Sequence, residues 1–299
     1  MATAVMTGAR PRPLGTRLGQ VVDRWLLPLY TLGVTVYLIL PVAVMILFSF
    51  NDPTGRSNLN FRQFSLEAWL HPLGRVGLAD AVRNSILVAF GATLAATILG
   101  TLIALALVRY RFRGRSATNL LIFLPMSTPE IVLGSSLLTM FVATVQLPFV
   151  PDGLLYPLSI RTIFIAHTMF NISYVVVTVK ARLQGFPRHL EEAAMDLGAN
   201  EWVTFWKVTF PLILPGVIAA ALLAFSLSID DYVVTAFTAG GTQTFPLYIY
   251  GAQLRGIPVQ VNVIGTIIFG SAVLLVALTT VWQRRQAARD FRPMRTIEE

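Results

Sequence analysis

Cysteine is absent from the 299-residue chain, which excludes a disulfide framework, a thiolate metal site and a cysteine nucleophile. Histidine is scarce, and His71, His167 and His189 have no spacing that would make a helical metal pair, so no metal ligand is assigned. Lysine occurs only at Lys180 and Lys207, after Val179 and Trp206. A phosphate-cradling loop needs Gly-Lys-Ser/Thr, so the chain has no ATPase motor of its own. Charge is also thin: Asp, Glu, Lys and Arg make up 13% of residues, against ~25% in soluble domains.

What fills the chain is apolar. Hydrophobic residues are 55% before the 21 glycines are added, whereas ~45–50% with glycine included is usual. A bilayer crossing needs ~20 such residues in a helix. Six uncharged stretches qualify: Trp25–Asn51, Asn84–Val108, Ile131–Pro151, Thr162–Val179, Val208–Ile229 and Gly256–Gln283. The third is expected to begin near Ala117 and so to contain Glu130. Tyr232–Leu254 is uncharged too, but Gly240, Gly241 and Pro246 interrupt it, and it reads as a loop with one short helix. The first stretch is too long for a signal-peptide core and no small-residue cleavage site follows it, so an uncleaved anchor is expected. The fold class is therefore all-α integral membrane, with six transmembrane helices over residues 25–283.

The net charge of +8 has two readings, a nucleic-acid surface or membrane topology. Placing the N-terminus in the cytoplasm leaves seventeen Lys and Arg in cytoplasmic segments and six outside. That asymmetry is the positive-inside pattern, and it predicts both termini in the cytoplasm and no nucleic-acid partner. Residues 1–24 form a basic cytoplasmic tail expected to be disordered, and 284–299 a second cytoplasmic tail. Phe64, Trp69 and Leu73 suggest one short amphipathic helix in the outer loop 52–83.

The longest cytoplasmic connection is the loop 185–211. Pro187 suits a first helical turn, with Glu191 and Glu192 near its positive end. Gly198 suits the helix end and Asn200 the cap of a second helix carrying Trp202, Phe205 and Trp206. Two short helices with a small, flat face suit either a docking partner or a hairpin lying on lipid. Glu192-Ala193-Ala194, three residues, Gly198, nine residues and Val208-x-Phe210-Pro211 resemble the EAA loop of ABC-importer permeases, with Val208 and Phe210 where that family has Ile and Leu.

The resemblance extends to Ser49-Phe50-Asn51, to Arg109 through Gly114, to Pro129-Glu130-Ile131, to Phe225 through Asp231 and to Pro258-x-x-x-Asn262. Together these are similar to the second permease subunit of spermidine/putrescine-type importers. The resemblance implies a six-span subunit of the type I importer fold in the cell membrane of a prokaryote. It implies a second, non-identical permease, a homodimeric ATPase that uses ATP and Mg, an extracytoplasmic solute-binding protein, and no cofactor on this chain, which is not itself an enzyme. It also implies that Glu192, Ala193, Ala194, Gly198 and Pro211 form the coupling element seated in a cleft of the ATPase. A related cargo such as a phosphonate is one alternative; a stand-alone secondary transporter is another, which the coupling loop opposes.

Polar residues in the spans usually mark a pathway, because burying them in lipid is costly. Glu130 is expected ~20 Å into the third span at 1.5 Å per residue, a depth counted through Pro125 and Pro129, which disturb it. Asp230 and Asp231 fall near the outer mouth, as interface caps or as a cation-attracting entrance. Two adjacent acids point in different directions on a helix, so one can serve structure and the other substrate. Phe225 or Tyr232 can add a cation–π face. His167, Asn171, Tyr174 and Thr178 share a helical face, and Ser135, Thr139 and Gln146 a similar one. These stripes suit either a polar path or helix–helix hydrogen bonding. No nucleophile–base pair stands out, so no catalytic residue is assigned.

Overall fold

The computed structural model describes residues 25–290 apart from 56, 147–150, 152–154 and 186; for 146 and 282–290 it describes the backbone alone. The expected disordered tail 1–24 lies outside the described residues. All described elements are helical, apart from one isolated bridge between Asn51 and Phe64. Among the described residues, five helices are long and apolar enough to cross a membrane, six if one bent pair counts as a span. Contacts divide the chain into two units, residues 1–72 with 256–299, and residues 73–255.

In the first unit, α1 (Leu27–Phe48) packs against α12 (Val259–Asp290). A Cβ at Gly265 would stand 2.9 Å from Met45 Sδ, so the two helices approach through the missing side chain. The Ser49-Phe50-Asn51 turn closes α1. The Asn51 amide donates to Asn58 Oδ1 at 2.6 Å and the Asn60 carbonyl at 2.8 Å, and its oxygen accepts from Arg62 N–H at 2.8 Å. Phe50 stacks between Phe64 and Trp69. The expected amphipathic helix is only α2 (Glu67–Leu70), with Phe64 held in the bridge outside it. Helix α12 continues past the expected boundary at Gln283 to Asp290.

The second unit is built on three long helices, α3 (Leu78–Arg109), α6 (Ile160–Gln184) and α9 (Phe210–Asp230), each packed on the other two. The stripe Ala92, Ala96, Gly100 and Ala104 is buried along α3. A Cβ at Gly100 would lie 2.6 Å from Val175 Cγ1, so small residues set this close crossing, as they do in membrane bundles.

Between α3 and α6 runs a broken element: α4 (Arg115–Ser127) and α5 (Glu130–Ala143), bent by 111° at Thr128–Pro129. The third expected span is therefore a broken one, and the depth counted along it for Glu130 does not hold. Proline disfavours helical backbone in the residue before it, and Thr128 is extended at ψ 131°. The segment 232–254 forms two short helices instead of one, α10 (Val233–Thr238) and α11 (Phe245–Gln253). It is tied to the N-terminal ends of α3 and α6: Phe245 N–H donates to Ser85 Oγ, Asn84 Nδ2 to the Gln243 carbonyl, and Thr162 Oγ1 to the Thr238 carbonyl.

Gly240 makes the turn between α10 and α11 at φ +56°, where an added Cβ would fall 2.4 Å from the Leu158 carbonyl oxygen. Gly240→Ala is expected to cost ~1–2 kcal/mol in left-handed backbone strain, with a steric term of ~1–3 kcal/mol besides, because backbone cannot swing aside as a flexible side chain would. A clear fall in the thermal unfolding midpoint of the detergent-purified protein checks this. An unchanged midpoint would mean that the turn relaxes away from Leu158.

Candidate functional site

Two sites stand at opposite ends of the three-helix bundle. The first is the connection from α6 to α9. It contains α7 (His189–Asp196) and α8 (Glu201–Thr204), and α8 runs through a π turn (Phe205–Thr209) directly into α9. Most of the predicted punctuation is present, although Pro187 precedes the helix and lies outside its first turn. Glu191 and Glu192 occupy the first turn of α7, Gly198 ends it at φ +88°, and the Asn200 side chain caps α8 by accepting from Val203 N–H at 2.8 Å. Gly198 N–H reaches the Met195 carbonyl and Ala199 N–H the Ala194 carbonyl, which closes the helix as glycine ends usually do. The second helix is not separate, as the sequence suggested, but the first turn of the span itself.

None of the residues of α7 is buried. Glu192, Ala193 and Gly198 are exposed, as is Pro211, while Ala194 is half-buried. Beside them Leu197 is 90% and Trp202 70% exposed, so a small-residue face with apolar flanks stands uncovered in this chain. Trp202, Phe205, Trp206 and Phe210 form a chain of ring contacts with centroids 5.0–6.0 Å apart that stiffens the entry to α9.

The second site is a cavity of about 310 Å³ where the α4–α5 break meets the ends of α9 and α10. That volume lies at the lower end of the ~300–1,000 Å³ usual for small-molecule sites. Glu130, Asp230 and Asp231 line it with Tyr174 and Tyr232, between apolar walls that include Leu133 and Leu227. The structure thus brings together five of the eight residues expected on a pathway, drawn from the three helices α5, α6 and α9 and from the α9–α10 junction. Tyr232 also packs its ring on Tyr250, with centroids 4.6 Å apart. The cavity wall contains neither Phe225, half-buried on α9, nor His167 and Asn171, which are buried inside the bundle.

The two adjacent acids have different surroundings. Asp230 is exposed at the last position of α9. Asp231 turns inward: its carboxylate accepts from Thr235 N–H at 2.7 Å and from Thr235 Oγ1 at 2.8 Å, and so closes the first turn of α10. His167 joins the same group. Its Nε2 lies 2.9 Å from Thr235 Oγ1 and 3.3 Å from Asp231 Oδ2, and its Nδ1 lies 2.6 Å from Ser228 Oγ. The Thr235 hydroxyl proton is committed to Asp231, so His167 Nε2 is the donor on that side. This network pins α6, α9 and α10 together. Asn171, one turn along α6, has no hydrogen-bond partner for either amide atom among the described residues. Ser135 and Thr139 bond to carbonyls of their own helix.

Ser228 and Thr235 were not singled out from the sequence, and the i to i+4 spacing of Asp231 and Thr235 is not the usual N-cap spacing, in which the side chain reaches two or three residues on. Phe170 and Thr128, also in the cavity wall, carried none.

Residues 96–292 match the family model described as binding-protein-dependent transport system inner membrane component. The chain belongs to this family. Among curated relatives, the spermidine/putrescine transport system permease protein PotC of Haemophilus influenzae is 36% identical over 251 residues, covering 83% of this chain and 93% of that protein. The putrescine transport system permease protein PotI of Escherichia coli K12 is 35% identical, covering 83% and 86%. The fold matches a chain of a bacterial ABC transporter that imports the acidic polysaccharide alginate, with a TM-score of 0.64 at 15% identity, covering 90% of this permease and 99% of that chain. The all-helical ABC-importer permease fold expected from the sequence is therefore the observed one. As a family member, the chain is a multi-pass inner-membrane permease subunit of an ABC importer, and it binds no cofactor itself. ATP hydrolysis belongs to a separate subunit, and the assembly includes an ATPase, a binding protein and a partner permease.

Proposed function

We propose that this permease carries polyamines, of the spermidine and putrescine class, and forms half of their path across the membrane. The observation that carries this reading is the cavity at the α4–α5 break, where carboxylates alternate with aromatic and apolar walls. A polyamine is a chain of ammonium groups separated by methylenes. It needs spaced negative charge and aromatic faces, each face contributing ~0.5–2 kcal/mol as a cation–π contact. The names of the PotC and PotI relatives supply the same cargo. In this reading Glu130, Asp230, Tyr174 and Tyr232 face the substrate. Asp231 and His167 hold the wall in place, and Asn171 and Phe225 stand behind it.

The reading extends to assembly. Glu192, Ala193, Ala194, Gly198 and Pro211 are the coupling surface for a homodimeric ATPase, supported by the exposure of α7. The partner permease is a different chain. Both termini and the loop 185–211 face the cytoplasm, supported by the seventeen-to-six distribution of basic residues. Residues 25–283 form the permease domain between the tails 1–24 and 284–299.

The test is reconstitution of the full complex in liposomes with its binding protein. ATP-dependent accumulation of labelled spermidine, competed by putrescine, is expected. Accumulation of a phosphonate and no polyamine would overturn the cargo while leaving the role. Uptake without the ATPase would overturn the role.

A further inference from the structure

Glu191 and Glu192 are neighbours on α7 that have opposite surroundings. Glu192 is exposed, whereas the Glu191 side chain is 16% exposed and turned into the bundle. Its Oε1 accepts from Arg109 Nη2 at 2.5 Å and also from Thr209 Oγ1. Arg109 is the last residue of α3, and Thr209 is the last residue of the π turn that leads into α9. One carboxylate oxygen on α7 therefore joins the ends of two of the three bundle helices.

We propose that Glu191 is the positioning residue that transmits movement of α7 to α3 and α9. This rests on the coupling role proposed for α7 above. With no buried residue of its own, α7 has little apolar packing by which to drag its neighbours. A carboxylate shared by a guanidinium and a hydroxyl in a mostly buried setting is short, directional and strong, because one partner is charged and water is largely excluded. The attachment on α9 lies in its π turn, where Phe210 N–H bonds to the Phe205 carbonyl five residues back. Single π turns are places where a helix accommodates a shifted register. A pull on Thr209 thus acts on the part of α9 already out of α-helical register, and the same pull reaches α3 through Arg109.

The experiment uses the assembled transporter. The readout is the ratio of ATP hydrolysis with ligand-loaded binding protein to hydrolysis without it. Glu191→Gln keeps the side-chain size and removes the charge. The ratio is expected to fall about fivefold or more, the lower edge of usual coupling strengths, while the complex purifies with normal subunit stoichiometry. The exchanged pair Arg109→Glu with Glu191→Arg is expected to restore the response that each single change loses, since the Thr209 hydroxyl can also accept from arginine. A wild-type ratio in Glu191→Gln overturns the proposal. A loss of assembled complex in step with the loss of response also overturns it, since Glu191 would then be a folding brace only. Gly198→Trp, measured alongside, separates the two layers. If it is silent, the coupling role of α7 fails; if it uncouples and Glu191→Gln does not, the transmission role alone fails.

Discussion

Gly198→Trp is expected to reduce binding-protein-stimulated ATP hydrolysis and substrate uptake together, by about tenfold or more, equivalent to ~1.4 kcal/mol as a barrier change. Among the described residues, a Cβ at Gly198 would meet nothing within 4 Å. A large side chain there obstructs only what approaches from outside. Backbone strain must be separated from bulk, because Gly198 holds φ +88° and an L-residue in that region costs ~1–2 kcal/mol. Gly198→Ala supplies that control, carrying the strain without the size. The docking role requires the alanine variant to retain most of its coupling and the tryptophan variant to lose it at equal membrane abundance. Equal effects from both would assign the position to helix termination alone.

The second large effect separates the adjacent acids. Asp230→Asn is expected to lower spermidine uptake about tenfold or more, with the unfolding midpoint and receptor binding unchanged. One carboxylate about 4 Å from an ammonium gains ~4 kcal/mol at an effective dielectric of 20, before desolvation is subtracted, so a tenfold loss asks for only part of it. Asp231→Ala is expected to act on the fold instead. It removes the acceptor for Thr235 N–H and Thr235 Oγ1 and leaves the buried His167 beside an unpaired site. Unsatisfied buried partners cost ~1–3 kcal/mol each, so the unfolding midpoint and membrane abundance should drop. The effect of Asp230→Asn should be larger for spermidine than for an amine of lower charge. Normal spermidine transport in Asp230→Asn at matched abundance would remove this acid from the path and weaken the polyamine assignment.

The sequence made the spans legible because lipid imposes a one-dimensional signal: length and absence of charge. The caps at Gly198 and Asn200 were legible for a similar reason, since left-handed backbone and an N-cap acceptor restrict residue type locally. Direction in space was not legible. Hydropathy dips at Ser127–Glu130 and Pro129 marks where a break belongs, but neither carries the size or direction of the 111° bend. Which of two adjacent acids faces a partner was also hidden, at Glu191–Glu192 as at Asp230–Asp231. That choice depends on residues far along the chain, such as Arg109 and His167, that only the packed bundle brings near.

On the proposed polyamine path, the α4–α5 break also bears on how briefly a cation is held. Irregular backbone in a membrane protein is tolerated where it borders a polar cavity, and the break places the start of α5 at such a cavity. Glu130 sits in the first turn of α5, where the helix presents its partial positive charge, roughly half an elementary charge. That charge offsets part of the field that an ammonium on the proposed path would feel beside Glu130, so the carboxylate does not become a deep well. A path built this way favours short residence over tight capture. Lengthening α5 by a turn at its N-terminus would carry the dipole away from Glu130 and convert a stepping point into a trap, with slower turnover at unchanged receptor affinity.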